Sequence, residues 1–395
     1  MAGFGLSQDT AFVHTYGGDS FEEARCIVPS ASGGFILAGT TGSQQDQTTN
    51  AYVLKIDNSL NCSWYLNQGG FGVEQLSDVV EDADGNIIAV GYGSVNPDSG
   101  YDVLIMKLNS TGEVLWQRSI GGDGWQFADE VVIHPNGGYL LAGSNIDMIN
   151  GNDALLFYLD SDGNVLNEFY FGGPFQDEFH FLAVHDSLIY AGGSMGTSDT
   201  TECSWTVQLD LNFNTIHADT LFTYDKSRLE YMDFHGDTIF TLHTYYIDSI
   251  NARGSFFSRE EFGNLIWSFD GNNFEAREIR YNNNLIYLPG TNSLFGLGGT
   301  AASICLFHND GYFLECPSFG DLGDDGFSAM SFRDGVPILV GESNSYSSFG
   351  DNDVYAVMLS DSLVMGIILW IFNMTTALRW VLGKKSMRII PRSRF

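Results

Sequence analysis

Aromatic rings beside carboxylates are a combination with which a protein surface grips sugars or cationic groups, the ring giving a flat apolar face and the carboxylate a charged acceptor. It recurs in this chain as Phe21 with Asp19 and Glu22, Phe71 with Glu74, Trp125 and Phe127 with Asp123 and Asp129, Phe175 with Asp177, and Phe327 with Asp324 and Asp325. Two outcomes are open: a ligand face at one end of the fold, or aromatics packed between neighbouring repeat units. Oxygen ligands also alternate at Asp82, Asp84 and Asn86 and at Asp160, Asp162 and Asn164, as calcium loops require. The glycine at position six and the glutamate at position twelve of an EF-hand are missing, so hairpin turns explain both stretches as well. Gly320–Gly326 is a weaker loop of the same kind. Calcium is the one ion these stretches suggest, and no other cofactor is implied.

Catalytic patterns are sparse. Gly192-Gly193-Ser194-Met195-Gly196 fits G-x-S-x-G, but a nucleophile elbow needs a strand-to-helix turn in an α/β sheet, whereas Ser194 follows an apolar strand in register with Ser144 and Thr40. His180 and His185 are the one close histidine pair, and a spacing of five points them to opposite faces of a strand. Arg25, Arg118, Arg228, Arg253, Arg259, Arg277, Arg280 and Arg333 share no phase that would converge them into a carboxylate clamp. Ser161-Asp162-Gly163 has a faint likeness to an Asp-box. No catalytic residue is assigned. The five cysteines include no CxxC; Cys305 and Cys316 flank a hairpin and could pair in an oxidising compartment.

The elements that position these residues come from a repeat. A short apolar strand recurs as Phe35–Gly39, Ile87–Gly91, Tyr139–Gly143, Leu188–Gly192 and Pro337–Gly341, with weaker copies at Ile239–His243 and Ile286–Gly290. The terminal positions are about 50 residues apart, the period of propeller blades. Glycine pairs at 17–18, 69–70, 121–122 and 172–173 precede the strong copies, and a fourth strand carrying Trp64 or Trp116 completes a period. This predicts an all-β fold, a seven-bladed β-propeller of four-stranded blades spanning residues 11–363. Ala11–Tyr16 has no blade of its own and should complete the last one, closing the ring. With 49 acidic against 17 basic residues and a net charge of −32, nucleic acid is excluded as a partner.

The blade-three pattern Gly-Gly, Gly-Gly-Tyr-Leu-Leu-Ala-Gly, Asn-Asp-Ala-Leu-Leu-Phe-Tyr-Leu-Asp and Asp-Gly-Asn-Val-Leu resembles the propeller repeats of secreted and cell-surface proteins of Bacteroidetes-type bacteria, which are often exported with a C-terminal sorting domain. The resemblance covers about residues 11–360. Blade five departs from it, with His243 in place of glycine. It implies an extracellular or cell-surface binding or display module, monomeric as a propeller, with a glycan, peptide or cell-surface protein as partner. The alternatives are a hydrolase or lyase acting on polysaccharide and a structural adhesin segment without a discrete ligand. Residues 1–10 read as a leader or the remnant of a signal peptide. Val364–Leu382 is apolar and is followed by a basic run. It matches a membrane anchor in length, although Asn373 and Arg379 are costly in hydrocarbon; an aberrant or truncated end, or a segment packed on the propeller, are the other readings.

Overall fold

The computed structural model describes residues 11–359 except 18–19, 43–47, 70–71, 95–99, 123, 148–150, 222–224, 248–251, 262–263, 273, 293–299, 321–322 and 346–351. The leader, the apolar-basic tail, Phe71, Asp19, Asp123 and part of the Gly320–Gly326 loop therefore lie outside the described residues.

Every element among the described residues is a strand. β1 is Ala11–Tyr16, and the units follow in order. Unit one holds β2 (Glu22–Pro29), β3 (Phe35–Gly42), β4 (Thr49–Ile56) and β5 (Cys62–Gln68), and unit two holds β6 (Glu74–Glu81), β7 (Ile87–Gly93), β8 (Asp102–Leu108) and β9 (Val114–Ile120). Then come β10 (Trp125–Ile133), β11 (Tyr139–Asp147), β12 (Gly151–Leu159) and β13 (Val165–Phe171), and β14 (Asp177–His185), β15 (Leu188–Gly196), β16 (Glu202–Asp210) and β17 (Thr215–Leu221). The next unit is β18 (Lys226–His235), β19 (Thr238–Ile247), β20 (Ala252–Glu261) and β21 (Asn264–Asn272). In the following one the outer strands are interrupted: β22 (Phe274–Ala276) and β23 (Arg280–Asn282) both pair β24 (Leu285–Asn292), while β26 (Phe313–Glu315) and β27 (Ser318–Phe319) both pair β25 (Ala301–His308). The last sheet has the order β1-β30-β29-β28, from β28 (Asp325–Arg333), β29 (Val336–Ser343) and β30 (Asp353–Leu359). Within each unit the sheet is an antiparallel meander.

The middle strands explain the stacking. β3 and β4 are buried almost throughout, whereas β5 and β9 alternate or face solvent. A sheet apolar on both faces must be covered on both. One cluster joins β3 and β4 to β6–β8, another β7 and β8 to β10–β12, and a third β11 and β12 to β14–β16. The first and last units also share a cluster, in which Leu37, Leu54 and Ile56 meet Ile338, Val340 and Val354. Each large aliphatic chain so buried contributes roughly 1.5–3 kcal/mol.

Turns carry the same period. Asp57, Asn109, Asp160 and Asp210 each accept the N–H groups of the residues two and four further on, which ties off the hairpin to the outer strand. Gly112 and Gly163 have φ of 86° and 77°, and a Cβ there would lie 2.7 Å from the indole of Trp64 or Trp116 in the preceding unit. The tryptophan of one unit thus seats on the turn of the next. Cys305 and Cys316 form a disulfide across the β25 hairpin.

Carboxylates tie the first strands together. Asp78 accepts the Cys26 thiol at 2.8 Å and the Val131 N–H at 2.9 Å; Glu130 accepts the Leu182 N–H at 2.8 Å and Glu278 that of Met330 at 2.9 Å. Each bond runs to the neighbouring unit and satisfies an amide that the sheet itself leaves unpaired. Burial pushes the Glu130 carboxyl well up, and the Asp78 charge adds to this. Glu130 is therefore favoured protonated in the fold: its contribution is full below its ordinary value of 4.5 and is lost as pH rises through the raised one. Glu130→Ala should cost about 1–3 kcal/mol by orphaning the Leu182 amide. Glu130→Gln, which cannot ionise, should gain on the wild type between about pH 5 and about pH 8. Urea unfolding at both values checks this; a Gln variant that loses ground with rising pH would contradict it.

Candidate functional site

The first strand of almost every unit carries one residue too many. Register shifts fall between Ala24 and Cys26, Leu76 and Asp78, Ala128 and Glu130, Phe179 and Phe181, Leu229 and Tyr231, and Phe327 and Ala329. The extra residues are Arg25, Ser77, Asp129, His180, Glu230 and Ser328. In the unit begun by β22 the strand breaks instead, and Arg277 follows the last paired residue, Ala276. A β-bulge leaves its extra residue unpaired and re-aims the side chain. The residue before each is apolar and at most 1% exposed, which anchors the bulge in the core. All of the extra residues line one cavity of about 550 Å³.

This arrangement explains the repeat glycine. At Gly39, Gly91, Gly143, Gly290 and Gly341 a Cβ would lie 1.9–2.0 Å from the carbonyl oxygen of Glu23, Gln75, Phe127, Glu275 and Gly326. The bulge presses that carbonyl onto the second strand, and at these five positions glycine leaves room for it. In unit four the equivalent residue is Gly193, opposite Phe179, which moves the repeat position from 192 by one. His243 stands at the corresponding place opposite Leu229; burial depresses its ring to about 4, against a smaller pull upward from Glu230.

The cavity wall is mixed in charge. His180 Nδ1 lies 3.1 Å from Asp129 Oδ2, and its Nε2 lies 3.1 Å from Glu178 Oε2. Burial disfavours the imidazolium, but the two carboxylates outweigh it and push the ring up to about 10. His180 in turn holds Glu178 below the usual carboxylate range. Burial alone would raise Glu230, yet Arg228 and His180 bring it below its ordinary value. Arg228 bonds Glu230, Arg280 Nε lies 3.2 Å from Glu278, and Arg25 Nε lies 3.2 Å from Glu23. The Gln75 amide, turned to present its oxygen, approaches Arg25 Nη1 at 2.6 Å.

The arginines correct an expectation. Arg25, Arg277 and Arg280 do converge on the cavity. Their sequence offsets look unrelated because strand parity changes at each bulge. Of the aromatic-acidic set, Asp129 and Phe327 reach the cavity lining, and the Phe327 ring is buried against Tyr355 at a centroid distance of 5.8 Å. Phe21 and Phe175 are half-buried at the unit connections. Trp125 and Phe127 are half-buried too, and pack edge-on and tilted against Tyr101 at 5.4 and 5.7 Å. Asp177 is fully buried and accepts the Gly173 and Gly196 amides. Phe21 and Trp125 each lie four residues before the extra residue of their strand, Phe127 two and Phe327 one, so the aromatic positions are spread along the first strands and the connections leading into them. Asp82 and Asp160 turn their oxygens onto amides of Asp84, Asn86, Asp162 and Asn164, and Asp82 also meets Lys107 at 3.1 Å. Among the described residues no group of three or more His, Cys, Asp or Glu could hold a metal ion. Ser194 is buried within β15.

No protein-family model and no curated protein matches the chain. Among solved structures, hydrazine synthase of Kuenenia stuttgartiensis aligns with a TM-score of 0.53 at 11% identity, over 83% of this chain and 94% of that one. Acylaminoacyl peptidase of Pyrococcus horikoshii aligns with a TM-score of 0.49 at 10% identity, over 88% and 54%. The β-propeller domain of the Trilobed protease from Pyrococcus furiosus gives 0.46 at 8%, over 87% and 94%. At such identities a likeness concerns the fold alone. Successive four-stranded antiparallel meanders stacked face to face, with first strands around one cavity, are a β-propeller.

The His180 pairing is full below the ring's ordinary 6.5 and is lost as pH rises through about 10. Its ring NMR signals should stay flat between about pH 5 and about pH 8, and Asp129→Asn should bring the titration back toward neutrality. A wild-type midpoint near neutral pH would contradict the pairing.

Proposed function

We propose that the chain is an exported or cell-surface binding module, a seven-bladed β-propeller closed by β1, whose ligand enters the cavity on the axis. Closure is supported by the unbroken pairing of Ala11–Tyr16 with Leu359–Val354 and by the core that the first and last units share. The observation that carries the binding reading is the set of first-strand residues, six from bulges and Arg277 from a strand break, converging as Arg, Ser, Asp, His, Glu, Arg and Ser on one cavity. Binding sites combine a shaped cavity with a few convergent polar groups, and about 550 Å³ suits a small ligand or the end of a chain.

Several acid–base candidates at the cavity wall are already committed. His180 is held between Asp129 and Glu178, and Glu230 by Arg228. General acid–base catalysis works best with a group that exchanges its proton near the working pH. Fixed charges of both signs are better suited to recognition. Export is supported by the Cys305–Cys316 disulfide and the net charge of −32. Glycans and peptides are the ligand classes this reading favours.

Glycan and peptide arrays with the full chain test it. Saturable binding should be lost in Ser77→Trp, which fills the cavity, and kept in Trp125→Ala. Loss in Trp125→Ala with binding retained in Ser77→Trp would move the site to the rim. Cleaved ligand would favour a polysaccharide hydrolase or lyase, and a blank array from folded protein a structural role.

A further inference from the structure

Eight arginines lie among the described residues, and seven have a hydrogen-bond or ion-pair partner. Arg25, Arg228, Arg253, Arg259 and Arg280 meet glutamates, and Arg118 and Arg333 meet the carbonyls of Asp162 and Asn58. Arg277 has neither kind of partner for its guanidinium among the described residues, although it is exposed and lines the cavity. In a chain with 49 acidic side chains the guanidinium has no direct partner among the described residues, and its charge acts at longer range on Glu342, pulling down a carboxyl that burial raises.

Its surroundings form a notch. Two residues before the bulge, other units carry Glu23, Gln75, Phe127, Glu178, Arg228 or Glu275, whereas the last unit has Gly326. A Cβ on Gly326 would lie 3.0 Å from Thr291 Oγ1, so the missing side chain leaves that hydroxyl open to the cavity that Ser328 also lines. A guanidinium with two hydroxyls is a donor set for a carboxylate. Opposite Gly326 in the ladder is Glu342, which also lines the cavity. Its carboxyl accepts Asn352 Nδ2 at 2.6 Å and retains acceptor capacity. A carboxylate site and an ammonium site thus share one notch. A polyanion would be repelled by the remainder of the chain, and a pure cation would leave Arg277 unused.

We propose that the notch formed by Arg277, Thr291, Ser328 and Glu342 binds a small zwitterion, an α-amino acid or short peptide, with its carboxylate on Arg277 and its ammonium on Glu342. This deepens the binding-module reading and rests on the cavity being the ligand site.

Calorimetric titration of the full chain tests it with free amino acids, tripeptides, their C-terminal amides and their N-acetyl forms. A free zwitterion should bind at least about tenfold more tightly than its amide, the worth of a charge-assisted contact. Arg277→Gln should bind acid and amide alike, and Glu342→Gln should bind free and acetylated amines alike. Arg277→Lys, which keeps the charge but not the fork, should fall between, and thermal midpoints check folding. Free amino acids against tripeptides separate the two sources. Unchanged acid-over-amide preference in Arg277→Gln, or binding confined to neutral ligands, overturns the inference. If such a ligand is still lost in Ser77→Trp, the cavity reading survives that failure. If no zwitterion binds folded protein, the inference falls, and an array ligand that also ignores Ser77→Trp removes the cavity reading with it.

Discussion

The first strand of each unit has a full ladder along one edge only, and apart from the single parallel pair Glu202–Lys226 between β16 and β18 its other edge has no strand partner among the described residues. Backbone amides on such an edge are costly to leave unpaired. The chain answers with carboxylates: Asp78 takes the Val131 N–H, Glu130 that of Leu182 and Glu278 that of Met330. Each of these carboxylates follows directly on an extra residue of its own first strand, Ser77, Asp129 or Arg277. One irregularity therefore does two jobs. It sends one side chain into the cavity and sets the next to bind the neighbouring unit.

Much of the architecture was legible from the sequence. The recurring apolar strand, the turns and the Trp64 and Trp116 positions are local features that repeat whatever their surroundings, and the Cys305–Cys316 pair could be read from its hairpin. The site was harder to see. Period-two alternation assigns faces only along an unbroken strand, and a bulge reverses the assignment beyond it. Arg25, His180, Glu230 and Arg277 thus looked unrelated, while Phe327 and Asp177 looked like rim residues and are buried. A signal was nevertheless present in the repeat glycine. Gly39, Gly91 and Gly143 mark where a first-strand carbonyl crowds the second strand, so each marks a bulge opposite. His243 shows that the mark is not obligatory, which is why unit five was the most obscure.

The acidity of the molecule and the mixed charge of its cavity are separate facts. Carboxylates cap turns at Asp57, Asp82, Asp160 and Asp210, whereas around the cavity Glu23 meets Arg25, Glu230 meets Arg228 and Glu278 meets Arg280. A wall of paired charges is rigid, and rigidity in a polar cavity favours selection among ligands by the placement of charge.

Native-state amide hydrogen exchange tests the central claim, that carboxylate-to-amide bonds between consecutive first strands build the cavity wall. The amides of Val131, Leu182 and Met330 should be among the slowest, exchanging only through global unfolding. Exchange at the rate of solvent-facing amides on the outer strands β5 and β9 would mean that these bonds do not hold the wall, and the account would be wrong.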